Sequence, residues 1–333
     1  MDTNKTIKIK INLLENDTKE NQNKVTALKT ERMKSGNIMD KEEIVDKFPE
    51  IILNMTPKTT SENKIETKIV LEEKKVKPRI AVMSLTSCEG CQFALIDLGE
   101  KFSEIMNKVE TIDFRLLKDE KDETTMLDIA FVEGNPMTKA NKENLLELRK
   151  RSKLLVVIGN CAAMGGVPEI KNYREKKQTV KHVYKYIQGI ENEPILEVEN
   201  FIKVDFTFPG CPISGEEFLA YLPILLECAK TGKNLPKIAD KSVCIECKAK
   251  GIKCMLLEGK PCFGPMILGG CGAVCPSSKM MCQGCRGLKP IANIKAMRAS
   301  LEKIMSDEEF ENITEIFGLK DDISELESKL NPN

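Results

Sequence analysis

The chain has 333 residues, enough for two domains with appendages, and balances 51 Lys and Arg against 51 Asp and Glu. That neutrality argues against nucleic acid or an anionic membrane as partner, and no apolar run reaches the roughly 18–20 residues that span a bilayer. The first residues, MDTNKTIKIKINLLENDTKE, lack the apolar core of a secretory signal, so a cytoplasmic location is expected. In that compartment clustered cysteines more often bind metal or do redox work than form disulfides.

Residues 1–77 contain no cysteine and are rich in Lys, Glu, Asn and Thr. Their apolar bursts (Ile44-Val45, Ile51 to Leu53, Ile69 to Leu71) are too short for a core. We expect a mostly flexible extension in which EEIVDKFPEIIL forms one short helix; a partner-docking arm is the sharper alternative. From residue 78 to 235 strands and helices alternate. RIAVMSL predicts a buried strand and CQFALIDLGEKFSEIM a helix. VETIDFRLL and LDIAFVEG predict the second and third strands, NKENLLELRKR a helix, and KLLVVIGN the fourth strand. A helix near 173–188, a fifth strand FIKVDFTF and a closing helix GEEFLAYLPILLECAK complete an α/β, flavodoxin-like parallel sheet domain.

Regular structure is expected to lapse over 236–290, a loop-rich segment dense in Cys, Gly and Pro. It is too poor in apolar periodicity to fold around a core of its own without bound inorganic centres. Residues 291–333, with IANIKAMRASLEKIM and an acidic stretch, predict C-terminal amphipathic helices whose plain role is packing.

The thirteen cysteines are the chemical signal. Cys88 and Cys91 follow the first predicted strand, Cys161 the fourth and Cys211 the fifth. The carboxyl ends of parallel strands share one edge, where ligands bind at the switch point, so three loops can bring four thiolates together. Flanking Gly90, Gly159, Gly165, Gly166, Gly210, Pro209 and Pro212 allow tight backbone, whose N–H groups can reach the sulfurs. The alternative, that these are ordinary buried cysteines, suits Cys228 better, since it lies alone on the apolar face of a helix.

Eight more thiols crowd the loop segment as C-x2-C-x6-C-x7-C (Cys244, Cys247, Cys254, Cys262) and C-x3-C-x6-C-x2-C (Cys271, Cys275, Cys282, Cys285). Zinc ribbons usually pair two C-x2-C knuckles, often with histidine. Neither quartet has two such pairs, and the one histidine, His182, lies in a polar helix where it is expected to be unligated. The spacing favours iron–sulfur centres, with a zinc-ribbon scaffold as the competing reading.

Five motifs in order, TSCEGCQ, GNCAAMGGVP, VDFTFPGCP, VCIECKAKGIKCMLLEGKPCFGP and GGCGAVCPSSKMMCQGCRG, resemble the small subunit of [NiFe]-hydrogenases. They are similar to its cytosolic archaeal and bacterial forms, such as the delta subunit of sulfhydrogenase and the small subunit of non-deazaflavin-reducing hydrogenases. The resemblance spans about residues 79–290. It implies an oxidoreductase subunit with three [4Fe–4S] clusters: proximal on Cys88, Cys91, Cys161 and Cys211; medial on Cys271, Cys275, Cys282 and Cys285; distal on Cys244, Cys247, Cys254 and Cys262. Cys244 stands where periplasmic members carry a histidine, and Cys275 supplies a fourth medial thiol that those members often lack.

The resemblance also implies that the NiFe ligands belong to a large subunit, so this chain alone does not turn over H2. It would relay electrons to an acceptor subunit, either an NAD(P)-reducing flavoprotein or an iron–sulfur protein linked to heterodisulfide reductase. Glu89, inside the CEGC turn, would face the large subunit; a solvated loop carboxylate is the plainer reading, a proton-path residue the sharper one. Lys248, Lys250 and Lys253 flank the distal set, either steering an acceptor or simply solvated. A rival family, the cluster-bearing subunit of respiratory complex I, shares the α/β domain. It carries one cluster and has adjacent cysteines where Cys88 and Cys91 here stand two residues apart.

Overall fold

The structure, a computed structural model, falls into two units, Met1–Val76 and Lys77–Asn333. It describes residues 10–11, 51–59, 65–73, 77–119, 122–190 and 193–330. In the first unit β3 (Ile65–Glu73) pairs parallel with β1 (Lys10–Ile11) and antiparallel with β2 (Ile51–Thr59). Pro57, which has no N–H to give a ladder, lies in β2 at the sheet's edge. Ile51 to Leu53, expected within a short helix, thus belong to a strand, where β-branched residues are at home. The rest of that expected helix, residues 42–50, lies outside the described residues.

The second unit builds a five-stranded parallel sheet from β4 (Arg79–Ser84), β5 (Glu110–Phe114), β6 (Leu127–Glu133), β7 (Ser152–Ile158) and β8 (Phe206–Phe208). Their order, β5-β4-β6-β7-β8, is the flavodoxin-like one, with its switch point between β4 and β6. Both faces are buried, as parallel sheets require. Ile129 and Phe131 pack with α1 (Gly90–Ile96) and α6 (Gly215–Thr231) on one face. Ala130 and Val132 pack with α3 (Lys139–Lys150) on the other. The Phe218 ring of α6 stands 5.4 Å from Phe131 and 5.2 Å from Phe208, and each ring so buried stabilises the fold by roughly 1.5–3 kcal/mol.

The expected elements shorten wherever local chemistry competes. The first helix breaks at Gly99 (φ 58°) into α1 and α2 (Glu100–Met106). The fifth strand keeps only its last three residues, because Asp205 accepts the Leu155 N–H (2.8 Å) and binds Arg149 (2.5 Å) where the ladder would begin. After α4 (Asn160–Met164) comes a 3-10 segment, Val167–Tyr173, so the helix expected near 173–188 is confined to α5 (Lys176–Val183).

Short helices α7 (Val243–Ala249) and α8 (Val274–Ser277) punctuate the loop segment, followed by α9 (Ile294–Leu301), α10 (Asp307–Ile316) and α11 (Leu319–Leu330). The segment does have an apolar core, contrary to expectation, because the C-terminal helices complete it. Val243, Phe263, Met266 and Ile267 pack with Ile294, Met297, Leu301, Phe310 and Leu319. Phe263 meets Phe310 at 5.2 Å, and the Arg298 guanidinium lies over the Phe310 ring at 4.2 Å.

The α10–α11 turn at Gly318 presses on the buried Glu169 of the 3-10 segment, whose Oε2 has no hydrogen-bond partner. Burial first, then Asp321, Glu197 and Asp322, push the Glu169 carboxyl up to about 8. Burial and Glu197 likewise push Asp322 up to about 6. A raised carboxyl binds its proton more tightly in the folded chain, so its stabilisation is present in acid and lost as pH rises through the folded value. We expect the folded chain to lose stability progressively between about pH 4 and pH 8, by on the order of a few kcal/mol. Glu169→Gln should flatten that slope in thermal scans; an unchanged slope would sink the assignment to Glu169.

Candidate iron–sulfur sites

Cys88 and Cys91 leave β4, Cys161 leaves β7 and Cys211 leaves β8, all at the carboxyl edge. The structure brings these four together. Burial comes first in raising the Cys161 thiol to about 12, and Cys211 and Cys88 add to it. Burial likewise raises Cys211, with Cys88 next. Cys91 is raised by burial, then by Glu133, with Cys211 and Cys161 contributing. Cys88 and Cys211 are exposed while Cys91 is buried, so the set opens outward on one side.

The local backbone makes room for the sulfurs. Gly159 (φ 90°) has no space for a side chain, since an added Cβ would collide with Cys91 Sγ. At Gly90 an added Cβ would lie 3.3 Å from Cys88 Sγ. The Ile213 N–H points at the Cys91 sulfur and lowers its pKa against the burial. Glu89 adopts the left-handed conformation (φ 60°), uncommon for a side-chain-bearing residue, and accepts a hydrogen bond from Ser84 at 3.1 Å.

Three residues of this edge have roles that the cysteine pattern does not signal. Glu133 ends β6 at the switch point, buried, and accepts from the Cys91 N–H (3.0 Å) and Gln92 Nε2 (2.7 Å). Asn135 donates to the carbonyls of Cys161 (2.6 Å) and Gly165 (3.1 Å). Asn160 donates to the Phe317 carbonyl (3.2 Å), tying the Cys161 loop to the C-terminal helices. The only hint of these was position, at the ends of strands along the same sheet edge.

The second and third sets lie in the loop segment. Burial raises Cys244 to about 11, followed by Cys262, Cys254 and Cys247. Burial also raises Cys247, then Cys262 and Cys254. Cys275 is raised by burial, then by Cys271 and Cys262. Burial raises Cys282 as well; the Gly284 N–H opposes it, while Cys262, Cys285 and Cys271 add. Cys285 rises to about 11 by burial, opposed by the Cys211 N–H, with Cys271, Cys275 and Cys211 adding. Cys262 therefore borders both loop sets, and Cys211 borders the edge set and the second loop set.

A cavity of about 340 Å³ lies at that second border, lined by Cys211, Cys271, Cys275, Cys282, Cys285 and Arg286 among mostly apolar neighbours. Gly264 makes a similar cradle, where a Cβ would touch Cys244 Sγ (3.4 Å) and Cys262 Sγ (3.5 Å). Among the described residues no three His, Cys, Asp or Glu side chains are placed to hold a single metal ion. One tetrahedral zinc with sulfur at about 2.3 Å would gather its thiolates within about 4 Å of one another. The thiols around the 340 Å³ cavity have room for a polynuclear centre, whose thiolates sit on separate irons.

Glu246, between Cys244 and Cys247, accepts from the N–H groups of Gly270 (2.8 Å) and Ala273 (3.2 Å) and pairs with Lys241 at 3.0 Å. It joins the first loop set to the backbone on both sides of Cys271. Lys250 donates to the Gly272 carbonyl and Lys253 pairs with Glu258 at 2.7 Å, so both cations have internal partners. His182 is exposed, and Cys228 is buried in α6, donating to the Asn234 carbonyl at 3.4 Å. No helix among the described residues is long and apolar enough to cross a membrane.

The chain is similar to known proteins. Residues 88–225 match the family described as NADH ubiquinone oxidoreductase, 20 Kd subunit. The chain is 33% identical over 237 residues to sulfhydrogenase 2 subunit delta of Pyrococcus furiosus, covering 69% of this chain and 95% of the relative. It is 29% identical to a vhu subunit of the F420-non-reducing hydrogenase of Methanocaldococcus jannaschii, over 63% of this chain and 81% of the relative. A solved NAD+-reducing [NiFe]-hydrogenase chain is 27% identical with a TM-score of 0.40, covering 45% of this chain and 92% of that one. The chain belongs to the family of the sulfhydrogenase delta subunits and is a hydrogenase subunit of the oxidoreductase class.

Proposed function

We propose that this chain is the electron-transfer subunit of a cytoplasmic [NiFe]-hydrogenase, relaying electrons between the NiFe site of a large subunit and an acceptor subunit. Cys88, Cys91, Cys161 and Cys211 would hold a proximal [4Fe–4S] cluster. Cys271, Cys275, Cys282 and Cys285 would hold the medial one, and Cys244, Cys247, Cys254 and Cys262 the distal one. When bound, such clusters supply one-electron carriers whose potentials follow net charge, hydrogen bonding and exposure.

The observation that carries this reading is the continuity of the three sets. Cys211 belongs to the edge set and lines the medial cavity, and Cys262 belongs to the distal set and acts on Cys275 and Cys282. A row with shared borders suits conduction. The exposed proximal side, with Cys88, Cys211 and Phe93 (52% exposed), suits cover by the large subunit. Ile245 and Leu257, exposed beside the distal set, suit contact with a flavoprotein or iron–sulfur acceptor.

The chain's own groups prepare the sites in a definite way. Burial and mutual repulsion hold Cys91, Cys161, Cys211, Cys244, Cys247, Cys275, Cys282 and Cys285 toward the protonated form, so binding a cationic centre must release protons and is disfavoured by acid. N–H groups of Ile213, Cys211 and Gly284 aim at sulfurs and favour the thiolate. A complex I-like subunit with a single cluster leaves unused the eight cysteines from Cys244 to Cys285, which lie beyond the matched residues 88–225.

Anaerobically purified protein should contain about twelve irons with matching sulfide, four per cluster. Zinc without sulfide would defeat the reading in favour of a scaffold. Co-purification from the native source should bring down a large subunit with paired C-x2-C motifs. Gly159→Ala, whose Cβ has no room beside Cys91, should lose about four irons and keep about eight. Full iron retention in this variant would place the proximal set elsewhere.

A further inference from the structure

Arg286 follows Cys285 directly and is 2% exposed. Its guanidinium spends its donors on three separate parts of the chain. Nη1 donates to the Pro209 carbonyl at 2.7 Å, in the loop that carries Cys211. Nε donates to the carbonyls of Leu268 (3.2 Å) and Gly269 (3.1 Å), just before Cys271. Nη2 pairs with Glu217 Oε1 of α6 at 2.8 Å, with the two side chains 1% and 8% exposed. Gly270 permits this closure, since a Cβ there would collide with both members of the pair.

The pair is also oriented. Arg286 lines the cavity shared with Cys211 and the four medial cysteines, and Glu217 is absent from its wall, so of the two charged partners the arginine is the nearer to that cavity. A guanidinium desolvated in this way attracts added negative charge more strongly than a solvated lysine does. A buried pair of this kind is weak evidence for a purely stabilising role, since apolar substitutes often serve folding as well.

Resting on the relay reading, we propose that Arg286 is the positioning residue of the proximal-to-medial step. It fixes the Cys211 and Cys271 loops against Cys285, and its charge favours the electron at the medial set. One electron moves, oxidising the proximal site by one and reducing the medial site by one, with no bond made and no proton transferred. Glu217 moderates the bias from behind.

The test uses the purified complex and two readouts, iron and sulfide content and an EPR-monitored redox titration. The double variant Arg286→Gln/Glu217→Gln removes both charges and avoids a buried unpaired carboxylate. It should keep its iron and bias the medial site against reduction by at least tenfold, about 59 mV for a one-electron couple. Glu217→Gln alone leaves the guanidinium uncompensated and should move the medial midpoint upward. Arg286→Lys/Glu217→Gln, which keeps a cation, should recover most of what the double variant loses. Iron-replete variants with unshifted midpoints would overturn the proposal and leave Arg286 a folding residue. If the double variant loses its iron, the upward shift in Glu217→Gln decides alone: present, it supports the proposal, and absent, it overturns it. A wild-type complex without cluster iron would instead defeat the relay reading.

Discussion

Twelve thiols gather in three small sets, and eight of them are held toward the protonated form by their surroundings. Burial raises thiols in every set, and neighbouring sulfurs add to it. The useful form of each is the thiolate, so the folded chain is arranged around negative charge that it does not itself neutralise. Most of the local architecture follows from this constraint. Backbone N–H groups point at sulfur, glycines give sulfur the space of a missing Cβ, and Arg286 supplies a buried cation between two sets. Glu133 and Glu246 bond the backbone at Cys91 and beside Cys271, stiffening the loops that would hold the centres.

The two parts of the second unit solve the positioning problem differently. In the α/β part the sheet does it: parallel strands end together, and the reversal of strand order opens the crevice into which β4 and β7 deliver their cysteines. In the loop part there is no sheet to align anything. Position comes instead from cross-braces: Glu246 to the Cys271 loop, Arg286 to the Pro209 loop, and the apolar pack of Phe263 against the C-terminal helices. Rigid framework carries one set, and mutual bracing carries the other two.

The cysteines and the five strands were legible in the sequence because both leave local signatures, short spacing for one and compact apolar runs for the other. Convergence of Cys88, Cys91, Cys161 and Cys211 followed from placing each at a strand end. Element lengths were harder. Asp205 and Gly99 cut a strand and a helix short through single contacts or single dihedrals that periodicity does not register. Arg286 and Glu217 stand 69 residues apart and look like surface charges in sequence, since only the folded path reveals that both are buried. The core under the loop segment was missed for a similar reason: half of it is contributed by helices that begin after residue 291.

The bond from Asn160 to the Phe317 carbonyl joins residues 157 positions apart. Synthesis delivers the α/β part first and the C-terminal helices last. Asn135 already braces the loop that bears Cys161 from within the α/β part, and the bond to Phe317 adds a second brace once the C-terminal helices have been made. If the four cysteines of that edge hold a cluster, its assembly would meet the doubly braced loop only once these helices have folded.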